Sequence, residues 1–285
     1  MNKANPTIKA LPPGAVRRHV ERHRGSVAAQ VDDAVAEEIP VAFVYNDRPH
    51  AVMLATPVDL EDFALGFSLS EAIIAEAREF ERVEIVPALS GIELQITIPA
   101  SRAGVLDTRV RQLTGRTGCG LCGAQTLDAA VRHPAAVAEP APIDRDGVMR
   151  ALDELKRGQA INAATGATHA AAWADSSGKV LLVREDVGRH NALDKLIGAM
   201  QRQRMDPERG FCVVTSRASY EMVMKSATVG IGILVAISAP TALAIALAQE
   251  ANVTLLAFAR PDGYSIYTHA GRIDSQPRRT RSTAP

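Results

Sequence analysis

The second half of the chain alternates continuous apolar runs with segments of helical periodicity. Continuous apolar strands separated by helices predict an α/β fold, with a largely parallel sheet that is covered on both faces. The runs are Val180–Val183, Phe211–Thr215, Ile231–Ile237 and Thr254–Phe258, the helical segments are Ala192–Met200, Tyr220–Thr228 and Thr241–Glu250, and Gly263–Tyr267 predicts a final strand.

The first half predicts a small α+β domain. Two apolar strands flank residues 46–50, a turn-forming stretch, which indicates a hairpin. Thr56, Pro57 and Asp59 provide a hydroxyl at the N-cap, a proline at the first helical position and a carboxylate at N3. They predict a helix that runs to about Leu69. The strands expected in this half are Ile39–Tyr45, Ala51–Leu54, Glu81–Val86 and Ile92–Ile98.

A stretch rich in alanine and proline, Pro134–Pro142, separates the two patterns and predicts a domain boundary. A helix with Val148, Leu152 and Leu155 on one face follows it. Both chain ends carry basic residues and prolines without an apolar period, which predicts flexible segments. The expected organisation is a flexible basic arm at 1–24, an N-terminal α+β domain at 25–133, an α/β domain at 134–275 and a flexible tail at 276–285.

Charge and hydropathy argue against several classes of protein. Lys+Arg and Asp+Glu both number 32, so the net charge is zero and a general nucleic-acid or anionic-membrane binder is not expected. The longest apolar stretch, Ile231–Leu247, contains Ser238 and Pro240 and is shorter than the ~18 residues of a membrane helix. We expect no membrane or nucleic-acid partner from these two features, and because the sequence shows no signal peptide we expect a cytoplasmic protein.

Residues 117–123 place two of the three cysteines, Cys119 and Cys122, in a Cys-x-x-Cys unit interleaved with glycines. Glycine lets the backbone turn where a residue with a Cβ could not, so either sulfur can be presented to a partner. Arg111 and Arg116 lie upstream, and nearby positive charge favours the thiolate over the thiol. A thiolate is the form that attacks, or that carries a sulfur atom.

Four other interpretations compete for this cysteine pair. A structural zinc site normally needs four Cys or His ligands, and the chain has no second pair at a suitable spacing. A zinc deaminase would have proline where Gly118 stands, and a thioredoxin-like motif would follow a buried strand, whereas Ser101–Arg111 is polar. A disulfide or a tolerated surface loop is the plainest alternative, but three cysteines cannot all pair. A reactive cysteine in a mobile loop is favoured.

Ligands of open α/β sheets bind outside the carboxyl ends of the strands, and the residues there are polar in this chain. Helix N-termini, hydroxyl groups and arginines at one edge predict a pocket for the phosphates of a nucleotide-like group. Carboxylates at this edge could accept hydrogen bonds from guanine. The residues concerned are Asp186, Arg189, His190, Ser216, Arg217, Ser219, Ser238, Thr241, Arg260 and Asp262.

Polar residues at this edge also have simpler, structural explanations. Asn191, Ser219 and Thr241 are natural N-caps of the helices that follow them. His169 and His190 are either proton carriers or walls of the pocket, and a structural role explains each of them equally well.

Taken together, these segments resemble the FdhD family of formate dehydrogenase accessory sulfurtransferases. The likeness extends from about Pro40 to Arg272, and the block Asp186–Asn191 beside the glycine-cysteine loop is far more specific than a single Cys-x-x-Cys. The motifs that carry it are Gly118–Gly123, Thr165-Gly166 with His169, Glu185–Ala192 with Asp194-Lys195, Ser216-Arg217 with Ser219 and Glu221-Met222, Ser238–Thr241 and Phe258–Arg260.

The resemblance implies a second domain similar to the cytidine deaminases, with a three-layer α/β architecture, and a cytoplasmic homodimer. It implies that Cys119 accepts sulfane sulfur from a cysteine desulfurase as a persulfide. The sulfur then passes to the bis-molybdopterin guanine dinucleotide molybdenum cofactor (Mo-bisMGD) before that cofactor enters formate dehydrogenase. By position, the cofactor-binding segment comprises Phe258, Ala259, Arg260, Pro261, Asp262 and Gly263.

The residues suggest how the sulfur would move. We expect the Cys119 thiolate to attack the donor persulfide and to deliver the outer sulfur to molybdenum. Cys122 either helps to expel that sulfur or only tunes its neighbour, and Cys212, in an apolar strand, should be inert. GDP is expected to mimic the cofactor, and no structural metal is expected. The alternatives are a chaperone that only holds the cofactor and a zinc-dependent deaminase.

Two positions depart from the family pattern. Ala72 stands where the family usually has glycine after Ser-Glu, and Asp47 stands where the hairpin usually has Asn-Gly. Both concern backbone turns in the first half of the chain, so neither affects the sulfur chemistry.

Overall fold

The computed structural model describes residues 10–102, 104–106 and 131–274 of the 285-residue chain. The loop with Cys119 and Cys122 and the predicted tail at 276–285 lie outside the described residues. Within the described ranges, no helix is long and apolar enough to cross a membrane.

Part of the predicted flexible arm is an ordered β-hairpin. Strand β1, Ala15–Arg24, pairs antiparallel with β2, Val27–Ala36, and Val20 lies opposite Val31. The prediction of a flexible segment was wrong for these residues. The apolar residues of β1 are too sparse to form a periodic pattern in the sequence. In the hairpin, Val16 and Val20 lie opposite Val35 and Val31 of β2, and these cross-strand contacts stabilise the ribbon.

The predicted hairpin in the first half is confirmed, and it belongs to a four-stranded sheet of order β4-β3-β6-β5. Its connection is shorter than expected, because only Asn46 and Asp47 lie between the strands, with φ of 47° and 63°. Two positive φ angles in a two-residue turn match the twist of a hairpin, which explains why the family usually has glycine at position 47. The strands are β3 Ile39–Tyr45, β4 Arg48–Ala55, β5 Arg82–Ala88 and β6 Gly91–Thr97.

The predicted helix is present as α1, Leu60–Ser70, and it ends close to the predicted Leu69. Its start was predicted too early, because the N-cap is Asp59 and not Thr56. Asp59 occupies the N-cap position with a left-handed φ of 53°, and its side chain makes no capping hydrogen bond. The Thr56 hydroxyl accepts a hydrogen bond from the Val187 amide at 3.2 Å instead. The predicted cap was wrong because a contact from a distant part of the chain uses the same oxygen. Ala72, just after the helix, also has a positive φ, of 53°.

A short strand and two helices follow the part of the chain that the structure leaves undescribed. They are β7 Ile143–Asp144, α2 Arg145–Gly158 and α3 Ala160–Thr165. The predicted helical face is confirmed, because Val148 and Leu155 of α2 are completely buried.

The second half is built on a six-stranded sheet of order β13-β12-β11-β10-β8-β9. Pairs β10–β11 and β11–β12 are parallel, whereas β12–β13, β10–β8 and β8–β9 are antiparallel, so the prediction of a largely parallel sheet was wrong. The strand that was not predicted, β8, is rich in alanine, which has a low strand propensity. The strands are β8 His169–Asp175, β9 Val180–Asp186, β10 Gly210–Val214, β11 Ile233–Ala236, β12 Thr254–Arg260 and β13 Gly263–Ile266.

Helices cover both faces of this sheet, which confirms the predicted α/β class and gives three layers. Trp173, Cys212 and Leu234 pack in one buried cluster with helices α4, Arg189–Arg202, α5, Tyr220–Thr228, and α6, Ala242–Glu250. Residues on the opposite face, including Val213 and Val235, pack with α2 in a second cluster. A last strand, β14 Ile273–Asp274, pairs in parallel with β7.

Helix α1 of the first half crosses α4 of the second half at two glycines. A Cβ on Gly66 would lie 1.7 Å from the Asp194 carbonyl oxygen, and one on Gly198 would lie 1.9 Å from the Asp62 carbonyl oxygen. Side chains at these positions would therefore force the helices apart. The larger buried cluster contains residues of both halves, including Phe43 and Leu193. The division at residue 134 and the likeness to cytidine deaminases stay predictions.

Candidate functional site

One edge of the six-stranded sheet carries the carboxyl ends of β9, β10, β11 and β12, and we call it the polar edge. These four strands point the same way, because β8 runs antiparallel to both β9 and β10. His169, at the start of β8, therefore lies opposite Asp186, at the end of β9. Ser238 follows β11, and its carbonyl accepts a hydrogen bond from the Phe258 amide at 3.2 Å. The expectation that the residues after these strands share one edge is confirmed.

The carboxylate of Asp186 is completely buried and is occupied by the protein itself. It accepts hydrogen bonds from the amides of Thr56, at 3.0 Å, and Gly188, at 2.7 Å, and from Asn191 Nδ2, at 3.0 Å. It also lies 2.7 Å from Lys195 Nζ. We call this group the Asp186 clasp. Because these donors use both carboxylate oxygens and no surface is exposed, we withdraw Asp186 from the predicted contacts with guanine.

Lys195 and Asn191 complete the clasp. Lys195 is completely buried, and its ammonium group also donates to the Thr56 carbonyl at 2.8 Å. Burial lowers the pKa of Lys195, and the charge of Asp186 opposes that shift. Asn191 is not the predicted N-cap, because α4 begins at Arg189 after Gly188, and its amide donates to the Leu54 carbonyl at 2.8 Å. The clasp holds the strand-to-helix connection of the first half against β9 and α4.

Arg189 and His190 begin α4 from the same sequence block, but they are only partly buried. His190 Nε2 lies 2.9 Å from Glu221 Oε2, in the first turn of α5, at an angle outside hydrogen-bond geometry. Ser219 occupies the N-cap position of α5, yet its hydroxyl makes no bond to the helix.

Three polar atoms at these two helix starts are buried and have no hydrogen-bond partner within the described part of the chain. They are Arg189 Nε, His190 Nε2 and Ser219 Oγ, and we call their residues the helix-start cluster. Native proteins satisfy the great majority of their buried polar atoms. Buried polar atoms without a hydrogen bond, together with helix starts that lack a side-chain cap, suit a polar or anionic ligand.

His169 lies next to this cluster. Burial is the main cause that lowers its pKa, and the charges of Arg189 and His190 lower it further, while Asp186 opposes them. Its Nδ1 atom is 3.5 Å from Thr215 Oγ1. The imidazole is therefore held towards its neutral form.

The remaining predicted residues after β10 and β11 differ in their surroundings. Ser216 is buried, and its hydroxyl donates to the Arg217 carbonyl at 3.1 Å, whereas the Arg217 side chain is exposed. Ser238 is half-buried. Thr241 caps α6 as predicted, because its hydroxyl oxygen accepts a hydrogen bond from the Ala244 amide at 3.2 Å.

The segment from Phe258 to Gly263 contains a β-bulge between β12 and β13. Phe258 is 41% exposed and has a φ of 52°, which is a strained conformation for a bulky side chain. The guanidinium carbon of Arg260 lies 5.8 Å from the centre of its ring. Arg260, Pro261 and Asp262 are exposed, whereas Ala259 is buried.

Cys119 and Cys122, predicted as catalytic residues, lie outside the described residues. Cys212 is completely buried in β10, and burial raises the pKa of its thiol, which makes it a poor nucleophile. Among the described residues, no group of three or more His, Cys, Asp and Glu side chains could hold a metal ion.

The sequence placed Ser219 at the predicted pocket and also made it a natural helix cap, as it did Thr241. Nothing in the sequence separates it from Thr241, because each of them is a hydroxyl residue directly before a helix. The hydrogen bonds separate them, since the Thr241 hydroxyl caps its helix and the Ser219 hydroxyl does not.

The chain matches the model of the FdhD/NarQ family over residues 36–274. It is 56% identical over 270 residues to the sulfur carrier protein FdhD of Xanthomonas euvesicatoria pv. vesicatoria (strain 85-10), with 95% of this chain and 96% of the relative covered. Identity to the sulfur carrier protein FdhD of Bordetella petrii is 53% over 260 residues, with 90% of this chain and 94% of the relative covered.

The fold is similar to a crystal structure of a protein from Desulfotalea psychrophila that is called a formate dehydrogenase accessory protein. The TM-score is 0.71 at 25% identity, with 92% of this chain and 100% of that chain covered. From the family match and these relatives, the chain belongs to the FdhD/NarQ family.

Proposed function

We propose that this chain carries sulfur for the maturation of formate dehydrogenase. Cys119 accepts sulfane sulfur from a cysteine desulfurase, and the sulfur passes to Mo-bisMGD, whose guanine nucleotide arm lies at the polar edge. The sulfur-carrier part of the proposal is supported by the names of the relatives and by the Cys-Gly-Leu-Cys-Gly sequence.

Loading of the sulfur is an exchange between two thiols. The Cys119 thiolate attacks the terminal sulfur of the donor persulfide, a new S–S bond forms, and the old S–S bond breaks. The donor leaves as a thiolate, so the step needs no added oxidant or reductant. Arg111 and Arg116 precede Cys119 in the sequence, and their charge favours the attacking thiolate.

The observation that carries the nucleotide part is the helix-start cluster. Arg189, His190 and Ser219 offer three polar atoms that make no hydrogen bond within the described residues. Arg189 Nε and Ser219 Oγ can donate to phosphate oxygens, and the positive ends of the two helix dipoles favour an anion. His190 Nε2 lies 2.9 Å from the Glu221 carboxylate, so it would contact a ligand only in place of that pair. The exposed Arg217 side chain supplies a further positive charge at the same edge.

Phe258, Arg260 and Asp262 suit the base of the same nucleotide. The Phe258 ring is exposed in a strained backbone conformation, and such strain is characteristic of functional sites. Exposed aromatic rings provide stacking surfaces for bases, and Arg260 adds a cationic plane beside this one. The exposed carboxylate of Asp262 can accept hydrogen bonds from the N–H groups of guanine.

Intact-protein mass spectrometry tests the sulfur-carrier part. The protein is incubated with a cysteine desulfurase and cysteine, and we expect one added sulfur atom on the parent chain and none on Cys119→Ser. Cys212→Ser, which removes the buried cysteine, is the control and should load like the parent. A parent chain that binds guanine nucleotide but never gains the sulfur would instead be a chaperone for the cofactor.

Calorimetric titration with GDP tests the position of the nucleotide site. Phe258→Leu and Arg217→Ala should each weaken binding by about tenfold, because they remove a stacking surface and a charged donor. Arg209→Ala removes an exposed arginine that pairs with Asp206, and it should bind like the parent. Equal affinity in all four proteins would place the nucleotide elsewhere.

The resemblance also leads us to propose a homodimer in the cytoplasm, with no structural metal. Analytical ultracentrifugation of the purified chain tests the dimer. Metal analysis of the same sample tests the rival zinc deaminase, which would contain stoichiometric zinc.

A further inference from the structure

Arg132, the second residue that the structure describes after the cysteine segment, is held by an unusual pair of hydrogen bonds. The backbone amide of Arg132 donates to the Tyr220 hydroxyl, and that hydroxyl donates to the Arg132 carbonyl oxygen at 3.0 Å. One phenol therefore satisfies both backbone groups of a single residue. The Arg132 guanidinium also lies 2.7 Å from Glu71 Oε2 and donates to the Glu71 carbonyl at 3.3 Å.

The group that receives Arg132 is itself fixed by buried charges. Glu71 Oε1 lies 2.9 Å from Lys225 Nζ, and Lys225 also lies 2.9 Å from Asp194. Ser70 donates to Asp194 at 2.5 Å and accepts from Lys225 at 3.0 Å. Two cations thus oppose two carboxylates, and buried charges persist when they are paired in this way. The network joins α1, α4 and α5 under Arg132.

The same turn of α5 belongs to the polar edge. Tyr220 stands between Ser219, whose hydroxyl makes no hydrogen bond within the described part of the chain, and Glu221, which lies 2.9 Å from His190. A single helix start therefore contacts both the anchored residue and the helix-start cluster. Arg132 follows Cys119 and Cys122 on one continuous segment.

We infer that Arg132 and Tyr220 are positioning residues for sulfur delivery. They fix Arg132, which follows the Cys119 segment in the sequence, beside the edge proposed to bind the nucleotide arm. The anchor depends only on the described contacts, and its part in delivery rests on the proposed function.

A distance measurement tests the anchor without using sulfur chemistry. One spin label is attached to Cys119 in a Cys122→Ser background, and the other to Leu243→Cys, an exposed position in the first turn of α6. The buried Cys212 stays unlabelled. Pulsed dipolar spectroscopy should give a longer or broader distance distribution in Tyr220→Phe and Arg132→Gln than in the parent.

Two further variants control this measurement. Arg78→Gln breaks an exposed arginine–glutamate pair, with Glu76, and should keep the parental distribution. Arg132→Lys keeps the charge opposite Glu71 and should recover part of the parental distribution. A Tyr220→Phe protein that is folded by circular dichroism and has the parental distribution would overturn the inference.

Kinetics then test the role in delivery. Tyr220→Phe should load sulfur and bind GDP like the parent, but its rate of formate dehydrogenase activation should fall about three- to tenfold, as expected for loss of hydrogen bonds at one point. An unchanged rate despite an altered distance distribution would contradict a positioning role. A parent chain that loads no sulfur would refute the proposed function, and the distance measurement would still decide on the anchor.

Discussion

The Asp186 clasp and the helix-start cluster share one short block of sequence, Asp186–Asn191, and the residues that the block gives to each group differ in how many of their polar atoms are hydrogen-bonded. In the clasp, Asp186 and Lys195 are completely buried, and each has several hydrogen-bond partners. In the cluster, Arg189 and His190 are partly exposed and keep polar atoms without a hydrogen-bond partner in the described ranges. The block therefore divides into residues that build the edge and residues that are available to a ligand.

This difference shows that a polar, motif-like block does not assign a role to each of its residues. Asp186 and Arg189 are three positions apart, and both were predicted to contact a nucleotide. Burial and hydrogen bonds separate them, because the first holds the fold together and the second faces the edge. Variants of the two groups should therefore affect different measurements.

The largest effect is expected from Lys195→Met in the clasp. Removing one partner of a buried ion pair leaves the Asp186 carboxylate uncompensated, so the free energy of unfolding should fall by about 3–5 kcal/mol. Chemical denaturation measures it. Lys156→Met, an exposed position in the last turn of α2, is the control and should change it by less than about 0.5 kcal/mol. A loss below about 1 kcal/mol in Lys195→Met would show that the clasp contributes little to folding.

Smaller effects are expected from the two N-cap positions, where one variant should mainly lower stability and the other should mainly weaken GDP binding. Thr241→Ala removes a capping hydrogen bond and should lower the free energy of unfolding by about 1 kcal/mol. Ser219→Ala should lower it by less than about 0.5 kcal/mol, because the hydroxyl does not cap α5. The order should reverse for GDP, for which Ser219→Ala weakens binding more than Thr241→Ala does. If Ser219→Ala destabilises the fold as much as Thr241→Ala, the Ser219 hydroxyl has a structural partner after all.

The smallest effect is expected from pH. Burial, and then the electrostatic effects of Arg189 and His190, hold the pKa of His169 below its ordinary value of about 6.5 in the folded chain. As the pH falls through 6.5, the unfolded chain binds this proton before the folded chain does, so the free energy of unfolding falls. Denaturation at pH 7.5 and 5.5 should show a smaller difference in His169→Gln than in the parent. An identical difference would mean that His169 is free to protonate at the edge.

Regular elements were the part of the fold that the sequence predicted well. Helix α5 has the predicted bounds, Tyr220–Thr228, because its apolar residues recur at helical spacing. The shared edge was also predictable, since strands linked by helices tend to point the same way. Strand β8 was missed because its alanines favour a strand only where helices cover both faces.

Contacts between distant parts of the chain were not predictable. The Thr56 hydroxyl looked like a helix cap, but it bonds to Val187, and the Thr56 amide bonds to Asp186. Register and long-range hydrogen bonds decide such pairings, and neither leaves a periodic signal in one sequence. The same holds for Arg132, whose partners Glu71 and Tyr220 lie far from it on both sides along the chain.

The reversed strand β8 has a geometric consequence for the site. Neighbouring strands lie ~4.8 Å apart, whereas packed helix axes need about 8–10 Å. By standing between β9 and β10, β8 doubles the lateral step between the strands that precede α4 and α5. Two strand spacings match the distance between packed helix axes, so α4 and α5 can lie side by side on one face of the sheet. His190 and Glu221, in the first turns of these helices, are therefore in contact.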